Sequence, residues 1–304
     1  MVEVNSQSKM DNTNVGVHVP IVSIGMPVYN GAKYICEALD SLLAQTFSDF
    51  ELIISDNASK DDTAAICRAY SLKDPRIQVV SQPMNQGALA NFQYVLDQSR
   101  GAFFMWAAAD DKWDANWIER LYNRIKDESG AAGFGRLIHI DAHSAALDHA
   151  ANDAALTFTG GPLKRKLAFY LSYEGLGKAN LFYALYPRAI LQKIDLRSHR
   201  IDYQILFGLV EHLTYIQVSE PRLFKRIHGE SDGVSGASIW RSPAVFAPFR
   251  LLRSDWRIAS HYFQCVGPGL RAVLLILLPL KLLASVRFRL VRGVSLLVNR
   301  LRST

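Results

Sequence analysis

Four times between residues 20 and 126, a short apolar run gives way to a polar turn and then to a helix-patterned stretch. Residues 20–28 end at Tyr29-Asn30-Gly31, and residues 50–55 end at Asp56-Asn57. Residues 77–80 lead to Asn85-Gln86-Gly87, and residues 102–108 end on Asp110-Asp111. The stretches between them carry apolar residues at helical spacing, as Ile35, Leu39, Leu42 and Leu43 do in the first. Strand–helix alternation of this kind predicts a parallel α/β sheet flanked by helices. In such sheets ligands bind at the carboxyl ends of the strands, and all four polar clusters fall there. A Gly-x-Gly-x-x-Gly turn and a Walker loop are both absent, which argues against a dinucleotide-binding dehydrogenase and a P-loop NTPase.

The acid pair is the sharpest of the four clusters. Adjacent carboxylates repel, and each costs free energy to desolvate. A hard divalent cation relieves both problems through oxygen ligation. The competing reading is a solvated turn in which one acid caps the next helix.

Composition sets the outer limits. The chain has 304 residues, 49% hydrophobic and 20% charged, enough for one large domain or two small ones. Three scattered cysteines (Cys36, Cys67, Cys265) predict neither a disulfide framework nor a thiolate metal site, and fit a reducing compartment. Residues 1–19 are polar without an apolar core, which predicts a disordered arm rather than a secretory signal. The net charge of +6 is unevenly spread: residues 241–304 hold 11 Lys/Arg and one acid, so the first 240 residues carry −4.

Within that basic tail, residues 272–286 are apolar apart from Pro279 and Lys281, and Arg287, Arg289, Arg292, Arg300 and Arg302 follow. Fifteen apolar residues fall short of a bilayer span. The pattern predicts a helical, membrane-associating tail lying in the plane of an anionic inner leaflet. A helix packed on the body of the protein or on a partner subunit is the alternative. The apolar density is too high for a nucleic-acid arm, so no nucleic-acid partner is expected.

The pattern loosens over residues 131–161. Residues 162–175 read as a helix, 180–186 as a strand, Asp202–His212 as a helix and 213–218 as a strand. Asp202 opens its helix, so it is either a candidate base facing the strand ends or a simple cap. Glu211 is a second candidate base, but nine residues at 3.6 per turn put the two on different helix faces.

Together the Pro27-Val-Tyr-Asn30, Ser55-Asp-Asn-Ala-Ser59, Asn85-Gln-Gly87 and Ala109-Asp-Asp111 segments resemble the inverting family-2 glycosyltransferases of the GT-A fold, over roughly residues 20–125 and more weakly to about 235. The resemblance implies a Rossmann-like mixed sheet over residues 20–236, with 237–304 as the tail. It also implies a nucleotide-sugar donor, usually a UDP-sugar, bound with Mg²⁺ or Mn²⁺. Pro27, Tyr29, Asn30, Asp56, Asn85 and Asp110 would line the donor pocket, with Tyr29 against the base and Asp56 accepting from its edge. Asp110 and Asp111 match the metal-binding acids, although Ala108 stands where the family usually has a first Asp. His228, in Arg-Ile-His, resembles a late metal-contacting histidine, with Lys225 or Arg226 near the phosphates. Asp202 resembles the general base. A saccharide or lipid-linked acceptor in cell-surface polysaccharide synthesis is implied, on the cytoplasmic face of the plasma membrane. The glycine-rich stretch at 229–236 would form a lid. The alternative, kept open by Ala108, is a non-catalytic nucleotide-sugar-binding scaffold subunit.

Overall fold

The computed structural model describes residues 18–199, 202–228 and 248–302, so nearly all of the expected arm and the expected lid lie outside the described residues. The first half alternates as the sequence predicts: β1 (Val22–Val28), α1 (Ile35–Leu43), β2 (Phe50–Asp56), α2 (Thr63–Ser71), β3 (Ile77–Ser81), α3 (Ala88–Asp97) and β4 (Phe103–Trp106). A two-residue β5 (Lys112–Trp113) and α4 (Trp117–Ile125) follow. The second half holds β6 (Ala131–Ile140), α5 (Pro162–Leu171), β7 (Tyr186–Pro187), the one-turn α6 (Arg188–Leu191), α7 (Asp202–His212) and β8 (Thr214–Arg226). Two helices end the chain, α8 (Pro248–Gln264) and α9 (Pro268–Arg302).

The strands form a five-stranded sheet in the order β3-β2-β1-β4-β7 and a three-stranded sheet in the order β5-β8-β6. β1 to β4 run parallel, whereas β7 is antiparallel to β4. An isolated bridge from Gly133 to Leu185 joins the two sheets. All seven residues of β1 and of β2 are buried, as expected of parallel strands covered on both faces. The expected mixed sheet flanked by helices is therefore present.

The strand order reverses between β1 and β4, the switch point beside which parallel α/β sheets form their ligand crevice at the carboxyl ends. Pro27 helps to open it. Gly25 accepts from Ala107 N on the β4 side at 2.9 Å, and Val28 accepts from Asn57 N on the β2 side at 2.9 Å. Pro27, two residues beyond Gly25, thus faces the β4 side, where β4 has already ended at Trp106. A residue without an N–H costs no ladder bond there.

Two elements differ from the sequence reading. Residues 131–140 form a ten-residue strand rather than a loose segment. Its Ala and Gly content hides it, yet glycine is demanded by contact: a Cβ on Gly135 would lie 2.3 Å from the Pro221 oxygen and 2.4 Å from Trp117. Residues 178–183 form a 3-10 helix, so the strand read over 180–186 is confined to its end, where Tyr186 enters β7. The helix stacks Phe182 on Trp106 with centroids 4.4 Å apart. The Trp106 indole also donates to Phe92 O at 3.1 Å. These contacts fix the end of β4, and with it the loop carrying the acid pair.

The tail is not a free appendage. Leu274, Leu278, Lys281 and Ser285 are buried at intervals of four, three and four residues, one stripe of α9 set against the body. The Tyr170 hydroxyl donates to Leu274 O at 3.0 Å. Pro268–Arg287 is also long and apolar enough to cross a membrane by length and composition alone, unlike the shorter apolar run read from the sequence.

Candidate active site

The loops after β1 and β2 are stapled together. Asn30, at φ 52°, donates its N–H to Ser59 Oγ at 2.8 Å and accepts from Lys60 N at 2.8 Å. Gly31 N donates to Thr63 Oγ1 at 2.8 Å, and Ala32 N to Asp61 Oδ2 at 3.1 Å. Asn30 thus shapes the crevice wall, and Tyr29 beside it stands 44% exposed, free to meet a ligand face. Asp56 is buried at the end of β2 and accepts from Ser59 N at 3.1 Å. It does not cap α2, which begins at Thr63 behind Asp62.

Asn57 is a residue the motif reading passed over. Buried beside Asp56, it donates to Asn85 Oδ1 at 3.0 Å and to Gly87 O at 3.3 Å, and accepts from Gln86 N at 2.9 Å. Asn85 also accepts from Gly87 N at 2.8 Å. Its carboxamide oxygen therefore builds the turn, and its place at the pocket rim is held by Asn57.

The acid pair divides into two environments. Asp110 keeps partial exposure at the crevice, with Oδ2 3.1 Å from His228 Nε2. Burial works against its charge, but the His228 hydrogen bond and the Lys225 and His228 charges outweigh it, holding the carboxyl below its ordinary value. Asp111 is fully buried, and both of its oxygens are engaged: Oδ2 by Lys225 Nζ at 3.0 Å, Oδ1 by Arg226 N at 3.0 Å. Burial pushes its carboxyl up to about 6, aided by Asp110 and opposed by Lys225. The expectation of two metal-binding acids meets an uneven pair here: Asp111 grips β8, whereas Asp110 keeps partial exposure beside His228.

β8 supplies the other half of this corner. Arg226 donates to Asp110 O at 2.9 Å, to Asp141 O at 3.2 Å, to Ala142 O at 3.3 Å and to Glu37 Oε2 at 3.0 Å. Its guanidinium lies 4.5 Å from the Tyr34 ring, which in turn packs against His228 with centroids 4.8 Å apart. Arg226 is therefore a structural clamp rather than an open phosphate ligand. Lys225 keeps 17% side-chain exposure and lies over Tyr183 at 4.7 Å. Burial disfavours its charge, but Asp111, Tyr183 and Asp110 overcome that and raise its proton affinity. Among the described residues no group of three or more His, Cys, Asp or Glu forms a metal cage. The chain's own donors at the corner are Asp110 Oδ2 and His228 Nε2.

Asp202 is the first residue of α7. Its Oδ1 is buried without a hydrogen-bond partner among the described residues, a costly state for a carboxylate unless a ligand completes it. Burial pushes its carboxyl up to about 6; the Asp202 and Tyr203 N–H groups and Lys225 pull the other way, and Glu174 adds to the rise. Glu211, the second candidate base, is half-exposed and pairs with Lys166.

A largely parallel sheet with Tyr29, Asp56 and the Asp110–His228 pair at or beyond its strand ends agrees with what a comparison with known families gives. The family described as "Glycosyl transferase family 2" matches residues 23–194. The chain belongs to that family. A relative in Streptococcus pneumoniae, the glycosyltransferase GlyG, is 28% identical over 121 residues, 40% of each chain. TuaG of Bacillus subtilis, assigned provisionally to teichuronic acid biosynthesis, is 33% identical over 115 residues, 38% of this chain and 46% of that one. The matches thus span less than half the length of these two relatives. Among solved structures, residues 1–349 of S. aureus TarS in complex with UDP-GlcNAc align with a TM-score of 0.55 at 18% identity, over 84% of this chain and 70% of that one. At that identity the likeness establishes the GT-A-like fold. The family match ends at residue 194, so for this family 2 chain Asp202 and His228 rest on geometry rather than on motif.

Proposed function

We propose that the chain is a metal-dependent, inverting glycosyltransferase that moves a sugar from a UDP-sugar to a saccharide or lipid-linked acceptor in cell-surface polysaccharide synthesis. The observation that carries this reading is the meeting of Asp110 and His228, 118 residues apart, at 3.1 Å beside the β1/β4 crevice. The UDP-GlcNAc in the related TarS fold supports the choice of base and diphosphate. The donor chemistry at the corner fits Mg²⁺ or Mn²⁺, which bind through one or two protein ligands plus substrate phosphates. Asp110 and His228 would hold such an ion, whose bound form supplies Lewis-acid stabilisation of the departing diphosphate.

The other roles belong to the chain's own side chains. Tyr29 flanks the base, and Asp56 accepts from its edge. Pro27, Asn30 and Asn85 shape the pocket around them. Lys225, pinned by Asp111, adds positive charge beside the phosphates without needing to move. Asp202 accepts the proton of the attacking acceptor hydroxyl, which a carboxyl titrating near 6 does at neutral pH. Inversion follows from a single displacement by that hydroxyl.

Calorimetry with a panel of nucleotide sugars should show Mn²⁺-dependent binding of a UDP-sugar that chelation by EDTA abolishes. Absence of binding across the whole panel would sink the proposal, and binding that survives EDTA would remove the metal from it.

We place the protein on the cytoplasmic face of the plasma membrane, held peripherally. The face of α9 opposite its buried stripe exposes Val273, Leu275, Ile276, Leu280, Leu283 and Val286, with Ile276 76% and Leu283 64% exposed. An apolar helix face followed by five arginines fits an anionic lipid surface. Flotation with phosphatidylglycerol vesicles should retain the wild type and lose Ile276→Glu/Leu283→Glu. Equal binding to neutral phosphatidylcholine vesicles counts against the electrostatic part. Resistance to alkaline carbonate extraction counts against peripheral attachment.

A further inference from the structure

One buried ionic cluster lies outside the donor corner and joins the tail to the body. Glu174, in a 3-10 turn after α5, is 8% exposed and receives three partners. Lys178 Nζ lies at 2.9 Å, Lys281 Nζ of α9 at 2.5 Å, and the Tyr262 hydroxyl of α8 donates to both carboxylate oxygens at 3.2 Å. Lys281 also donates to Tyr170 O at 2.6 Å, and Lys178 to Phe169 O at 2.5 Å and Ser172 O at 3.0 Å. These are the carbonyls left without helical partners at the end of α5, where the helix dipole favours cations. Two buried lysines around one glutamate form an unusual arrangement for a tail contact. Burial and the Lys281 charge push Lys178 down to about 7, against the pull of Glu174.

The same elements buttress the helix that carries Asp202. Tyr262 packs on Phe207 of α7 with centroids 4.8 Å apart. The Gln204 amide of α7 reaches Gln264 Oε1 of α8 at 3.4 Å. Among the groups whose charge bears on Asp202 are Lys225 from β8 and Glu174 from the turn after α5. Asp202 in turn bears on three tyrosine hydroxyls: Tyr183 from the 3-10 helix, Tyr203 from α7 itself and Tyr262 from α8.

We propose that Glu174 and Lys281, joined through Tyr262 to the packing of α8 on α7, act as positioning residues for Asp202 from the tail. Lys281 neutralises Glu174, and Glu174 opposes the ionisation of Asp202. Removing either member of this one ion pair should therefore move the Asp202 proton in opposite directions. A purely structural role would move it the same way in both variants. The inference rests on the reading of Asp202 as the base for its catalytic meaning, but not for its test.

The experiment is a ¹³C carboxyl NMR titration of the full chain, with the Asp202 resonance assigned by its loss in Asp202→Asn. Lys281→Met should raise the Asp202 midpoint and Glu174→Gln should lower it, each by about half a unit or more, while Lys281→Arg stays near the wild type. If one single variant fails to fold, the charge-balanced Glu174→Gln/Lys281→Met double should fold and fall between the two shifts. Midpoints that do not move, or that move the same way, overturn the proposal. The titration needs no turnover, so the two readings fail separately. Full turnover in Asp202→Asn would remove the base and leave the coupling standing.

Discussion

Replacing Asp202 by Asn is expected to lower transfer by about 10²–10⁴-fold, the usual contribution of a positioned general base. Donor binding should persist, because Asp202 belongs neither to the proposed nucleotide pocket nor to the Asp110–His228 pair. The amide preserves size and helix-terminal hydrogen bonding but cannot take a proton. The same carboxyl sets the pH dependence of the wild type. A base must be ionised to act, and burial raises this one from 3.8 to about 6. Turnover should therefore hold at neutral pH and fall as the pH drops below about 6. Steady-state rates over pH 5–8, with donor affinity followed in parallel, check both statements. Equal loss of turnover and donor affinity in the variant would show that Asp202 supports the fold rather than the reaction. A scaffold subunit would show no turnover to lose.

The second large effect falls on the neighbouring acids. Asp111→Ala leaves the largely buried Lys225 without its partner and the Arg226 N–H without an acceptor. Breaking a buried pair from one side costs roughly 3–5 kcal/mol. For a chain this size that lowers Tm by roughly 6–20 °C. Asp110→Ala removes a carboxylate that keeps contact with solvent, and its stability cost should be about 1 kcal/mol or less. Its effect should appear instead as loss of Mn²⁺-dependent donor binding. Thermal melts and calorimetry on the two variants separate the roles. The reverse pattern, a stable Asp111→Ala that no longer binds metal, would return Asp111 to the metal. The double variant Asp111→Leu/Lys225→Met should recover much of the lost stability, since apolar replacement of both partners removes the unpaired charge.

Much of the donor half was legible in the sequence because its signals are local. The runs at β1 and β2 are largely apolar, and each ends on a turn that one stretch of chain encodes by itself. Asp202–His212 was readable for the same reason. β6 was not. Its alanines and glycines answer to Trp117 and Pro221, which approach from other elements, so no local propensity announces a strand. The stretch 180–186 was misread in the opposite sense: most of it belongs to a 3-10 helix in which Phe182 is placed by Trp106, and Tyr186 alone of it enters a strand. Asn57 looked like a turn residue and proved to be the anchor of the next loop.

The sequence by itself determined the alternating α/β architecture, the family, and the set of polar residues delivered to the strand ends, because periodicity and turn chemistry act over a few residues. Only the tertiary structure decided what each of those residues does. Asp110 and Asp111 are neighbours in the chain, yet one meets His228 at the crevice and the other is buried under Lys225, 114 residues away. The tail shows the same limit. Its composition marks an apolar, basic helix, but that Lys281 turns inward to Glu174, 107 residues earlier, is fixed by packing alone. Charge pairing in a low-dielectric interior depends on which groups the fold brings together, and a linear pattern does not contain that information.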